Sequence, residues 1–149
     1  VIAVAASLVG AGWAPARALE EAASYIPSDS AAAGAVALGL SCGKDSDASQ
    51  LHTEFEGMSP VHTVNNLALV TWGLTRNADD FGAAIGDTVT AGWDTDCNGA
   101  TVGGLWGLSG REIPTSWSLG WNGLVETNLA GHAVLHLNDL VDRTVALSN

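Results

Sequence analysis

Apolar positions recur at helical intervals along most of the chain. Val1 to Val9 is apolar on every side and stops at Gly10, which predicts a buried helix with a glycine cap. Pro15 suits the first turn of a second helix, and Leu19, Ala22, Ala23 and Ile26 repeat along it until Pro27. Ser30 is a ready N-cap for an Ala-rich helix to Leu40, closed by Gly43. Asp47 can cap a short helix through Phe55, stopped by Gly57. Ser59-Pro60 pairs a capping hydroxyl with proline at the first helical position. A helix is expected from there through Leu67, Leu69, Val70 and Trp72 to Thr75. Asn77-Ala78-Asp79 turns the chain, and the next helix spans Asp80 to Ala91. Gly92 to Asp96 breaks the pattern before a Gly-rich helix to Leu108. Pro114 to Trp117 reads as a short turn or helix, and Leu124 to Ala130 and Asp139 to Leu147 as the last two helices. Alternating and β-branched runs are scarce. The expectation is an all-α chain, one domain over 1–149, with no internal boundary.

Composition narrows this picture. A chain of 149 residues can bury roughly two-thirds of its unfolded surface. With 47% apolar and 14% charged residues it is no disordered acidic tail. Sixteen acidic residues against five basic ones give a net charge of −11. The basic residues (Arg17, Lys44, Arg76, Arg111, Arg143) are scattered, so duplex nucleic acid and anionic membranes find no patch to bind. The uncharged first stretch is shorter than the ~20 residues of a membrane span and has no basic lead. Its abrupt start at Val1 inside an apolar helix reads as a fragment of something longer. Cys42 and Cys97 belong to no CxxC pair, which favours a reducing, cytoplasmic setting.

Two polar clusters can carry chemistry. The first is Gly92-Trp93-Asp94-Thr95-Asp96-Cys97-Asn98-Gly99-Ala100-Thr101. Asp94 and Asp96, two apart at a helix start, can converge on a hard cation such as Mg²⁺ or Ca²⁺. The bland alternative is that one of them caps the helix. An EF-hand loop starting at Asp94 fails, because its twelfth position is Leu105 where a bidentate Glu is needed. Gly99, Gly103 and Gly107, at every fourth position, offer a face that another backbone can approach. The second cluster is Ser59 to Asn66, where His62, Asn65 and Asn66 at helical spacing can hydrogen-bond a polyhydroxylated ligand. Its alternative is a set of capping and interhelical bonds. His132 and His136 have no third ligand for zinc. There is no G-x-S-x-G elbow, P-loop or strand-borne G-x-G-x-x-G.

The block Gly92 to Gly103 resembles the C-terminal metal motif of the ADP-ribosylglycohydrolase family, which includes the dinitrogenase reductase-activating glycohydrolases. The likeness continues upstream through Gly57 to Val70, and downstream into Ile113 to Trp117 and Leu140 to Thr144. It implies an orthogonally packed all-α fold and a pair of Mg²⁺ (or Mn²⁺) ions. It also implies hydrolysis of the bond joining ADP-ribose to a protein side chain or small molecule. Carried over, Asp94, Asp96 and position 97 bind metal; a neutral thiol suits Mg²⁺ poorly, so the contact of Cys97 is lost, replaced by water or supplied by Thr95. His62, Asn65, Asn66 and Asn98 are then expected to line the substrate wall, with Trp93 packing on the ligand or on the core. The family's second, Thr-Asp-Asp type motif has no counterpart here, so this chain reads as a C-terminal half that works with an N-terminal remainder. No general base is assigned. The rival readings are the same fold acting on another ribosyl compound, and a non-catalytic helical protein.

Overall fold

The computed structural model describes residues 1–43 and 47–147, so Lys44 lies outside the described residues. Helices dominate: α1 (Ile2–Gly10), α2 (Pro15–Ala23), α3 (Ala31–Ser41), α4 (Ser49–Glu54), α5 (Thr63–Arg76), α6 (Phe81–Thr90), α7 (Thr95–Leu108) and α8 (Leu137–Ala146). A 3-10 turn at Thr115–Trp117 and two short strands, β1 (Leu124–Glu126) and β2 (Val134–His136), complete the described structure. The all-α expectation holds apart from that hairpin. No helix of the described residues is long and apolar enough to cross a membrane. The chain gathers into two units, Val1–Ile113 and Pro114–Asn149.

In the first unit α5 is the axis. Every residue from Asn65 to Leu74 is buried, so this helix is covered all round rather than along one stripe. On one side Val70 and Leu74 pack into a cluster with Ala5, Leu19, Val102 and Trp106. On the other, Leu67, Leu69 and Trp72 pack with Ala35, Val36 and Leu51. A fully buried Leu or Val contributes about 1.5–3 kcal/mol over an exposed one. Helices this short are marginal alone, so the packing holds them. Two buried hydroxyls inside the core, Thr71 and Thr88, donate to the carbonyls of Leu67 (2.8 Å) and Ala84 (2.7 Å), so neither hydroxyl is orphaned.

Close helix contact falls where the sequence pattern did not point. A Cβ added to Gly39 would stand 2.5 Å from the carbonyl oxygen of Ala68, so α3 and α5 touch through that glycine. Gly73 makes a similar approach to Thr88 across α5 and α6. Of the glycine row on α7, Gly99 and Gly103 face the side chains of Val89 and Ile85, and Gly107 faces open space. No neighbouring backbone takes up that row.

α2 ends at Ala23, short of the expected Pro27, and two regions depart further. α5 starts at Thr63, not at Ser59-Pro60. Ser59 and Pro60 instead form a turn closed by the His62 N–H donating to the Ser59 carbonyl at 3.0 Å. The cap is the His62 ring, whose Nδ1 accepts from the Val64 N–H at 3.2 Å. His62 therefore stands outside the helix and does not share a helical face with Asn65 and Asn66. The second departure is in Pro114–Asn149, where the expected helix over Leu124 to Ala130 is an antiparallel hairpin pairing Val125 with Leu135. The Leu137 N–H donates to the Gly123 carbonyl at 2.8 Å, so α8 begins directly after β2 and earlier than Asp139. None of the residues described in this second unit is buried.

Candidate metal centre and adjoining cleft

α6 ends at Thr90, and the chain must reverse before α7 begins at Thr95. Two consecutive residues take left-handed backbone to do so, Gly92 at φ +94° and Trp93 at φ +58°. Glycine adopts that region freely; tryptophan there costs about 1–2 kcal/mol. The Trp93 indole lies against the His52 ring at a centroid distance of 4.4 Å, with Phe55 edge-on at 6.2 Å. His52 Nε2 contacts the Ala91 carbonyl at 2.9 Å. Trp93 is thus engaged with α4 and its end rather than with a ligand-facing wall.

Asp94 follows at the N-cap of α7. Its carbonyl accepts from the Asn98 N–H at 2.9 Å, as a cap residue's should. Its carboxylate, however, accepts no capping bond from the helix. Asp96 sits in the first helical turn and is exposed, as is Cys97. A carboxylate oxygen of Asp94, one of Asp96 and the Cys97 Sγ all lie within 4.8 Å of one another. Among the described residues this is the one grouping of three such side chains. The positive end of the α7 dipole favours the two negative charges there. The EF-hand alternative is closed off as well: α7 is helical from Thr95 to Leu108, and Leu105 is buried in the core.

Asn66 ties this loop to α5. Its Nδ2 donates to the carbonyls of Pro60 and His62, both at 2.8 Å. Its Oδ1 accepts from the Asp94 N–H at 3.2 Å and from Asn98 Nδ2 at 2.6 Å. Asn65 is fully buried, donating through Nδ2 to the Ser59 carbonyl at 3.1 Å and accepting the Asn66 N–H at 3.0 Å. Both amides find protein partners through their oxygen and their nitrogen, as buried amides generally do.

A cleft of about 370 Å³ opens beside Asp94. Its polar wall is Thr63, Asn66, Asp94, Cys97, Asn98 and Thr101, and Val1, Ile2, Leu67 and Val70 supply part of the apolar one. Of the residues singled out in the sequence, Asn66, Asp94, Cys97 and Asn98 meet at this cleft. Asp96 stands beside Asp94 in the acidic cluster. His62, Asn65, Thr95 and Trp93 are not part of the cleft wall. Sequence reasoning passed over Thr63 and Thr101, which no spacing marks, and His52, a single histidine on a short helix.

The donor set can be tested against a hard divalent ion. Two converging carboxylates on a solvated rim fit one well. Cys97 does not. A hydrogen bond to Asp94 and the charges of Asp94 and Asp96 hold its thiol above the ordinary 9.0. The Sγ therefore stays protonated at neutral pH and is a soft, neutral donor.

Two comparisons with known proteins return nothing: no curated protein and no solved structure matches the chain. The third does. The family model described as ADP-ribosylglycohydrolase matches residues 1–147, and so takes in the acidic loop, the cleft and the C-terminal hairpin together. With nearly the whole chain covered, and the converging aspartates inside the matched span, this protein belongs to the ADP-ribosylglycohydrolase family, a family of glycosidic hydrolases.

Proposed function

We propose that this chain forms the acidic wall of a metal-dependent site that hydrolyses the glycosidic bond between ADP-ribose and a protein side chain or small molecule. The observation that carries the reading is the Asp94 carboxylate. It occupies a cap position, does no capping, and converges with Asp96 at the rim of a cleft. Asp94 and Asp96 would hold Mg²⁺ or Mn²⁺, two such ions in the complete site. A bound divalent ion supplies positive charge that polarises sugar hydroxyls and makes nearby water more acidic. Asn98 and Asn66 keep the wall rigid, because the Asn98 amide and the Asp94 N–H share one acceptor. Thr63 offers its hydroxyl on the cleft wall. Two carboxylates leave most of a six-fold oxygen shell to water, substrate or another polypeptide segment, the role assigned here to an N-terminal remainder of the same enzyme. The unpaired cysteines suit a reducing cytoplasm.

The test uses the full-length gene product with ADP-ribosylated protein, free ADP-ribosyl conjugates and other ribosyl compounds as substrates. Asp94→Ala and Asp96→Ala should each reduce Mg²⁺- or Mn²⁺-dependent ADP-ribose release to background. Unchanged turnover in both variants contradicts the assignment. Cleavage confined to another ribosyl compound moves the substrate class and keeps the site. One observation favours a second reading, a non-catalytic helical protein: the thiol of Cys97 beside the aspartates. Calorimetry separates the two, since a structural relic takes up neither ion.

A further inference from the structure

We propose that His52 is the positioning residue of the acidic loop, acting on Asp94 through Ala91 and Trp93. The proposal rests on the reading of Asp94 as a metal ligand. Among the described residues Trp93 is the one non-glycine residue with positive φ, and it immediately precedes Asp94. Such a conformation persists only where surrounding contacts over-determine it. Two grips supply them. On the α5 side, Asn66 Oδ1 accepts the Asp94 N–H at 3.2 Å. On the α4 side, His52 holds the preceding residues in two ways. A carbonyl can only accept, so the 2.9 Å contact to Ala91 places the imidazole proton on Nε2 and makes His52 the donor. The same ring lies against the Trp93 indole at 4.4 Å, with Phe55 edge-on from one turn further along. His52 is exposed and forms no part of the cleft wall, so it touches neither ion nor substrate. Its influence runs through the backbone: with Ala91 and Trp93 fixed at one end and the Asp94 N–H at the other, the direction of the Asp94 carboxylate is set before any ion arrives. Glutamine at 52 keeps an N–H donor without the ring, phenylalanine keeps the ring without the donor, and alanine keeps neither.

The experiment measures Mn²⁺ affinity of the full chain by the paramagnetic resonance signal of free Mn²⁺, with the thermal midpoint recorded for every variant. His52→Ala should weaken Mn²⁺ binding by about tenfold or more, the usual effect of losing an outer support of a metal site, and His52→Gln should recover it to within about threefold of wild type. Wild-type affinity in His52→Ala, with binding lost in Asp94→Ala, overturns the positioning role and leaves the metal reading standing. Equal weakening in His52→Ala and His52→Gln, in step with equal losses of thermal midpoint, also overturns it, since that is plain destabilisation. Absence of Mn²⁺ binding in the wild type removes the metal reading and this proposal together. Should His52→Ala not fold, His52→Gln against His52→Phe decides: weaker Mn²⁺ binding in the phenylalanine variant supports the donor role, and equal binding sinks it.

Discussion

α5 and α7 are both fourteen residues long, and both begin in a polar stretch, yet the two starts do opposite things. At the start of α5, Asn65 and Asn66 are buried, and their amides are spent on the carbonyls of Ser59, Pro60 and His62. At the start of α7, Asp94 is half-buried and Asp96 exposed, and the Asp94 carboxylate makes no capping bond. The bodies differ in the same sense. α5 is buried on every side, whereas α7 buries only Asn98, Val102, Leu105 and Trp106, a single stripe at i, i+4, i+7 and i+8. Burial decides the role. A buried polar group must find partners within the protein, so it becomes structural; carboxylates that stay in reach of water, with only the Cys97 thiol among the described residues bonded to one of them, keep lone pairs for something else.

The contrast breaks most directly with one substitution on each side. Asp94→Ala should abolish divalent-ion uptake while lowering stability by no more than about 2 kcal/mol, since a half-buried interaction with the helix dipole and one hydrogen bond to the Cys97 thiol are lost. Asn66→Ala should lower stability by about 3 kcal/mol, because it leaves the Asp94 N–H, the Asn98 amide and two carbonyls short of a partner. Urea unfolding beside a calorimetric ion titration measures both. A stable Asn66→Ala protein would show that the amide network is dispensable.

A smaller effect distinguishes the helix bodies. Gly39→Ala pushes a methyl group against the Ala68 carbonyl of α5 and should cost about 2 kcal/mol in the same unfolding assay. Gly107→Ala on α7 meets nothing within 4 Å and should instead stabilise by up to about 1 kcal/mol through helix propensity. Matching signs for the two would contradict the difference in packing.

The smallest effect is chemical. The Asp94 hydrogen bond and the two carboxylate charges favour the protonated thiol of Cys97. At pH 8 less thiolate is present than in a free cysteine, and it accumulates only as the pH rises past the usual 9.0. Iodoacetamide should therefore modify Cys97 more slowly than it modifies free cysteine, and Asp94→Asn should quicken the reaction. Mass spectrometry of the labelled peptide reads the rate, and an uninhibited Cys97 would place the carboxylates too far away to matter.

Much of the helical order was legible because apolar spacing and capping residues are local signals. Ser30 caps α3 by accepting from the Ala33 N–H at 3.2 Å, as expected, and Asp80, expected as the first residue of its helix, caps α6 through Ala83 at 2.9 Å. The start of α5 was misread for an equally physical reason. Ser59-Pro60 is a sound local start signal, but buried Asn65 and Asn66 draw the preceding carbonyls into a turn, and His62 takes the cap. The hairpin escaped because strands of three residues are too short to alternate. Leu124-Val125-Glu126 also sits as well on a helix until β2 pairs with it.

The sequence alone determined the helices, the acidic pair at 94 and 96, and the likeness of the 92–103 block to one family's metal motif, because each is written in neighbouring residues. Only the tertiary structure decided that Asn65 is an internal strut while Asn66, Asn98 and Asp94 reach the cleft, and that α4 supports the acidic loop through His52. Those roles follow from which polar atoms lose water on folding, and that depends on helices brought together from distant parts of the chain.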